Sequence, residues 1–342
     1  MPRRKDGSDL PKRVTLQDIA VIAGVHRMTV SDALNGTGSV APTTREKVRQ
    51  IARELNYIPN FAARALSRGR TGIIAILTGA LNEPYYANMV HVLERHISED
   101  GFHAMLMRTP DGVKDIISAT GNVAVDGVVA VDMLGIVDEF WSHPTIPCVT
   151  IGTIERTFVD CVIADLSASV KEAVELMLSA GRQRVAYLAT STYMAQEVEV
   201  RAGTYAATMR SARRPPEIIN LQSDIFNAGV IEARFKAHLT EFGCPDGLLC
   251  QNDEIAMCAF VALQSLGYKV PDDVLLVGCD GQQHMAYFKP PLSTIAQPIE
   301  QMSAVAWEFL KRRMTDPTLP RQQAKLPGKL LVRESLRAVA SE

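Results

Sequence analysis

From Gly72 onward the chain alternates short, continuous apolar runs with amphipathic stretches, and that texture leaves few architectures open. Residues 72–77 (Gly-Ile-Ile-Ala-Ile-Leu), 103–107, 127–131 and 147–151 are apolar on both faces, as strands buried in a parallel sheet are. Helical spacing intervenes, for example over 86–99. A second series, at 184–189, 247–250 and 274–278, alternates with helical stretches at 169–180, 229–239 and 254–266. Two doubly wound α/β units side by side are therefore expected. Their strand ends would face a cleft, which is where such sheets bind ligands.

The 342 residues exceed what one small module needs, and 47% apolar with 22% charged residues is ordinary globular composition. The net charge of −2 alone would argue against a nucleic-acid partner, yet it hides an asymmetry. Residues 1–70 carry 13 Lys/Arg against 6 Asp/Glu, and the remainder carries 23 against 32. A basic head precedes an acidic body.

Cys148, Cys161, Cys244, Cys250, Cys258 and Cys279 lie in apolar stretches without C-x-x-C or nearby histidine, so buried reduced thiols are expected rather than disulfides or zinc. Residues 1–13 read as a disordered basic leader with no apolar signal core. The apolar stretch 123–137 is interrupted by Asp126 and Asp132, so no membrane span is expected and the expected location is cytoplasmic.

In the head, Thr15 is a good N-cap with Asp18 three residues on; Leu16, Ile19 and Ala20 follow at helical spacing until Gly24. A second helix runs from about Arg27 to Leu34, closed by Asn-Gly-Thr-Gly at 35–38. Pro42 opens a third, with Val48, Ile51, Ala52 and Leu55 on one face. Two short helices joined by a tight turn make a helix-turn-helix unit. Beyond Pro59, the segment 61–67 is too short to hold a helix by itself.

The block 14–66 resembles the DNA-binding head and hinge of the LacI/GalR family of bacterial transcriptional regulators. The run V-T-L-Q-D-I-A-V-I-A-G-V, then T-V-S, L-N, T-R-E-K-V and Y-I-P-N-F-A-A-R-A-L stand in the family's order. The resemblance implies that the second helix enters the major groove. Arg27, Met28 and Asp32 would then reach base edges, Arg27 toward guanine, Met28 toward a thymine methyl, Asp32 toward cytosine N4. Thr15, Thr29, Ser31 and Asn35 would contact the DNA backbone, the alternative for Thr29 and Asn35 being capping and turn formation. Asp32 and His26 depart from the family pattern. Asp32 either reads a C:G pair or is a solvated surface residue, and His26 is a poorer cap than serine, expected at a phosphate or simply exposed. In the hinge, Asn60 and Arg64 would meet groove or phosphate, and Leu66 would wedge a central minor-groove step.

The resemblance continues through the body, in P-D-G-L-L-C-Q-N-D at 245–253, V-P-D-D-V at 270–274 and P-P-L-S-T-I at 290–295. It implies a body similar to periplasmic sugar-binding proteins, with three chain crossings between subdomains. Arg201, Asn252 and Asp280 would bond ligand hydroxyls and Tyr85 and Tyr86 would wall a ring. The alternatives are an Arg201–Asp280 ion pair and tyrosines packed as core. Gly152 and Gly281 stand where polar residues are common in the family, so two polar contacts are expected to be missing and the ligand to differ from simple hexoses or galactosides.

The expected fold is therefore an all-α helix-turn-helix head plus an α/β periplasmic-binding-protein-like body of two doubly wound subdomains. The expected boundaries are 1–13 leader, 14–58 DNA-binding domain, 59–71 hinge and linker, and 72–342 ligand-binding and dimerisation domain. Within the last, 72–165 plus 296–325 and 166–295 plus 326–342 are the two subdomains. No G-x-G-x-x-G after a strand, Walker loop, H-E-x-x-H or G-x-S-x-G occurs, so no enzyme, cofactor or metal is expected. The expected protein is a homodimeric transcriptional regulator of repressor type, binding a palindromic operator under control of a small effector, a sugar or sugar derivative. A ligand-independent architectural DNA protein and a sugar-binding protein without regulatory role are the alternatives.

Overall fold

A computed structural model describes residues 14–57, 70–79, 81–107, 125–132, 146–155, 158–191, 194–223 and 227–337. The chain divides into a unit of residues 1–71 and a unit of residues 72–342.

In the first unit, α1 (Leu16–Ala23), α2 (Arg27–Asn35) and α3 (Pro42–Glu54) enclose one small core around Ile19, Val30, Val48 and Ile51. Each helix end has a local cause. The Thr15 hydroxyl caps α1 while the Asp18 carboxylate accepts from the Thr15 amide at 2.8 Å, a reciprocal capping box. Gly24 closes α1 at a left-handed φ of 69°. Lys47 Nζ on α3 donates to the Ala23 carbonyl at 3.0 Å, placing a cation where the α1 dipole is negative.

The second unit holds two six-stranded sheets. Its elements are β1 (Ile73–Leu77), α4 (Pro84–Glu99), β2 (His103–Met107), β3 (Gly127–Val131), β4 (Cys148–Gly152), β5 (Asp160–Asp165), α5 (Ser167–Ser179), β6 (Val185–Ala189), α6 (Val200–Ser211) and β7 (Glu217–Asn220). There follow α7 (Ala228–Phe242), β8 (Gly247–Cys250), α8 (Asp253–Ser265), β9 (Leu275–Asp280), β10 (Ser293–Ala296), α9 (Ile299–Thr315), β11 (Gln323–Pro327) and β12 (Lys329–Leu331). The first sheet has the order β11-β5-β4-β3-β1-β2, all pairs parallel; the second has β12-β10-β9-β8-β6-β7, parallel except for β12 against β10. Strands β3, β6, β8 and β9 are buried along their whole length, as their unbroken apolar runs require. Strands β5, β7 and β10 to β12 and helices α6 and α9 add to the elements expected from the sequence.

The chain passes from one sheet to the other three times, at β5 to α5, β10 to α9 and β11 to β12. The passages are tied together. Gly328 between β11 and β12 donates to the Asp165 carbonyl at 2.9 Å, and its own carbonyl accepts from Ser169 Oγ at 2.9 Å. A Cβ at residue 328 would lie 2.6 Å from Leu166 Cδ2 and 3.4 Å from the Ala296 carbonyl oxygen. Only glycine lets the three passages come this close.

In the first sheet the Asp160 carboxylate, almost wholly buried at the start of β5, is answered by Arg313 of α9 at 2.8 Å and by the Gln322 amide at 2.7 Å. Removing one partner of such a pair strands a buried charge. Arg313→Ala is therefore expected to cost the second unit about 3–5 kcal/mol, read as a drop in its denaturant midpoint.

Candidate effector cavity and nucleic-acid face

On the head, Arg27 and Met28 stand exposed at the start of α2, Met28 with 70% of its surface in water. An unpaired methionine there is poor packing and good contact surface. Thr29 is half-buried one residue on. Ser31 and Asn35 bond each other one turn apart, Asn35 Nδ2 donating to Ser31 Oγ at 3.2 Å. The Thr15 hydroxyl is held by Asp18 at 2.7 Å. Asp32 also has a local partner. Its carboxylate accepts from Thr37 Oγ1 at 3.1 Å and packs against Gly38, where a Cβ would come within 2.8 Å of Oδ2. Asp32 thus organises the turn after α2. His26 is exposed and also caps α2, its Nδ1 accepting from the Met28 amide at 3.3 Å. Asn60, Arg64 and Leu66 lie outside the described residues.

In the second unit, a cavity of about 280 Å³ opens between the carboxyl ends of the two sheets. It lies just below the ~300–1,000 Å³ typical of ligand sites. All five ligand residues expected from the sequence, Tyr85, Tyr86, Arg201, Asn252 and Asp280, line it. They stand in the first turns of α4 and α6, at the N-cap of α8 and at the last residue of β9, beside the strand ends where parallel sheets place their sites.

Arg201 and Asp280 do not pair directly. Arg201 Nε donates to Glu199 Oε1 at 2.9 Å, its Nη1 donates to the Gln251 carbonyl, and Glu199 is wholly buried. Gln251 is itself fixed, its Oε1 accepting from the Thr190 amide at 2.7 Å. The Asp280 carboxylate accepts from Gln297 Nε2 at 2.8 Å. Asn252 contributes its side-chain oxygen to the α8 N-cap, accepting from Ile255 at 2.9 Å. Tyr85 belongs to the core as well as to the cavity wall, edge-on to Tyr86 at 5.2 Å.

Asp132 was not singled out by the sequence reading. It follows β3, lines the cavity, and has φ 51°. Desolvation drives its pKa up to about 6 against the opposing pull of Arg201. The same desolvation, with Asp253 nearby, holds Asp280 well above the usual carboxylate range. Glu83 at the cavity edge is also raised by burial. Asp253, beneath the site, accepts from the Gln282 amide and from Thr294 Oγ1 at 2.7 and 2.6 Å, while burial carries its pKa to about 7.

Gly152 and Gly281 now have steric reasons. A Cβ at 152 would sit 2.6 Å from Asp132 Oδ1, and one at 281 would sit 2.6 Å from the Ala296 Cβ. The expectation that Gly152 removes a polar contact is corrected: the space a side chain would take there is filled by the carboxylate of Asp132.

Residues 15–60 match the family of bacterial regulatory proteins, lacI family, and residues 174–336 match the periplasmic binding protein-like domain. The HTH-type transcriptional regulator CelR of Thermobifida fusca is 29% identical over 337 residues, covering 95% of this chain and 98% of that protein. The chain thus joins a lacI-family DNA-binding domain to a periplasmic binding protein-like domain. The ribose operon repressor of Haemophilus influenzae is 26% identical to this chain, covering 94% of it and 98% of the relative. Among solved structures, a CelR–cellobiose complex aligns with 26% identity and a TM-score of 0.67, covering 94% of this chain and 100% of that one. A Lac repressor dimer bound to operator and the anti-inducer ONPF has the same fold, with 23% identity and a TM-score of 0.81 over 95% of this chain and 99% of that one. The relatives are transcriptional regulators rather than enzymes. This chain is a DNA-binding regulator controlled by a ligand. Among the described residues no helix is long and apolar enough to cross a membrane and no cluster of metal-binding side chains occurs.

The cavity acids have a measurable signature. A carboxyl whose pKa is higher in the folded than in the unfolded state binds more protons when folded, so its contribution to stability falls as pH rises from about 4 through its folded pKa. Asp132→Asn is therefore expected to raise the melting temperature of the ligand-free protein at pH 7.5. The gain should shrink at pH 5, where the wild-type carboxyl is itself neutral, and scanning calorimetry at the two pH values reads the difference.

Proposed function

We propose that this regulator is a homodimeric, cytoplasmic repressor that binds a palindromic operator, with the 280 Å³ cavity as its effector site and a sugar or sugar derivative as its effector. The observation that carries the ligand half is the convergence of Arg201, Asp280, Asn252 and two tyrosines from four separate places in the chain on one small cavity. Planar donors, carboxylates and an aromatic wall suit a polyol ring. The CelR relative, in a complex with cellobiose, supports a carbohydrate.

On the DNA half, Arg27 and Met28 read base edges from the exposed start of α2, and Thr29, Ser31 and Asn35 hold the backbone. Thr15 and Asp32 act mainly by fixing the helices that present these residues. Asn60, Arg64 and Leu66 are proposed for the minor groove, with Leu66 as the wedge. Neither an architectural protein nor a plain sugar binder uses both halves.

Selection of duplexes from a random pool by the full-length protein is the test. A two-fold symmetric site is expected, and Arg27→Ala should weaken binding to it by roughly 5–150-fold while affecting scrambled duplex far less. Recovery of no preferred sequence would reject the operator reading.

A further inference from the structure

Among the described residues that line the cavity Arg201 is the cation, and its charge is already answered by Glu199. Three further carboxylates line the same space: Glu83, Asp132 and Asp280. An anionic ligand would thus enter a site with acid in excess and a guanidinium already engaged.

Two of these acids are placed with unusual care. Asp132 follows β3 of the first sheet, and Asp280 ends β9 of the second. Both have positive φ, 51° and 118°, a backbone state that side-chain-bearing residues adopt at a cost and that marks functional positions when several coincide. Each is also given room by a neighbour. The Asp132 carboxylate fills the space over Gly152, with the Thr153 amide bonded to it. Gln297 fixes Asp280 through Nε2 and leaves its own buried Oε1 without a partner among the described residues.

From this arrangement we propose that Asp132 is an effector-contacting residue, paired across the cleft with Asp280. Together they restrict the effector to molecules that present hydroxyl or ammonium donors and carry no carboxylate or phosphate. The inference rests on the cavity being the effector site. It adds a residue and a charge class to that reading: one carboxylate from each sheet grips the same donor-rich ligand, so binding draws the two sheets onto a common partner. Gly152 is then part of the specificity, because any side chain there displaces the Asp132 carboxylate.

The experiment uses sets built on the glucose and galactose skeletons, each with the free sugar, the 2-amino sugar, the uronate and the 6-phosphate, plus ribose and cellobiose. Thermal shift finds the binders, since a ligand of the native state stabilises it by mass action, and calorimetry gives their Kd. Every binder is expected to be neutral or cationic. Asp132→Ala should weaken it at least 10-fold, and Gly152→Ala, which keeps every lining residue but displaces the Asp132 carboxylate, should do so as well. The ligand-free melting temperature of Asp132→Ala should not fall below that of the wild type, so a lost response is not lost folding. A uronate or phosphate that binds as well as its parent sugar, or a binder indifferent to Asp132→Ala, overturns the inference while leaving the effector site standing. A protein that no member stabilises, yet that binds its selected operator, overturns the effector reading and the inference together.

Discussion

A guanidinium leaves water only when its charge and its donors are answered, and Arg201 is buried to 7% exposure. The answer comes from Glu199, two residues before it at the start of α6, and from the Gln251 carbonyl at the end of β8. Gln251 in turn reaches back to the end of β6 through Thr190, Nε2 donating to Oγ1 at 2.9 Å. The floor of the cavity in the second sheet is therefore one bonded unit. Asp132 and Asp280 both feel its field, since the pull of Arg201 offsets part of their desolvation. Without it, both carboxyls would lose their nearest stabilising charge.

The opposite side of the cavity is supplied by the first sheet, and the chain passages between the two sheets come together at Gly328. A cross-cleft bond, Asn88 Nδ2 to Gln282 Oε1 at 3.2 Å, is a further link. Three short strands of chain side by side are a natural place for a small rotation, because few side chains must repack there. A ligand bonded to Asp132 on one side and Asp280 on the other would bias that rotation by its differential affinity alone. This gives the body of a ligand-controlled regulator a physical way to register an effector.

Much of this was readable in the residues. Buried parallel strands announce themselves as unbroken apolar runs, so β1, β3, β6 and β8 stood out, as did the caps at Thr15 and Gly24 and the five cavity residues carried by the family resemblance. β5 was harder because it opens on Asp160, a charge that Arg313, 153 residues away, and Gln322 make tolerable. β7 is four residues long and has little pattern to show. Asp132 was visible only as an interruption of an apolar run. The signal was its position, a lone acid directly after a buried strand, and its meaning depended on Gly152, which is adjacent in space but not in sequence. His26 and Asp32 looked like departures from the family's DNA-reading helix. Their roles as cap and turn organiser depend on the path of the backbone from 35 to 38, which spacing alone does not give.

The central claim is that occupancy of the cavity and occupancy of the operator are linked through one chain. Linkage is reciprocal: the factor by which a saturating effector changes operator affinity must equal the factor by which saturating operator changes effector affinity. Measuring both, by fluorescence anisotropy of the selected duplex and by calorimetry of the effector with and without that duplex, gives two independent ratios. The account predicts two equal ratios clearly different from one. Two ratios of one, with both ligands bound, would contradict it.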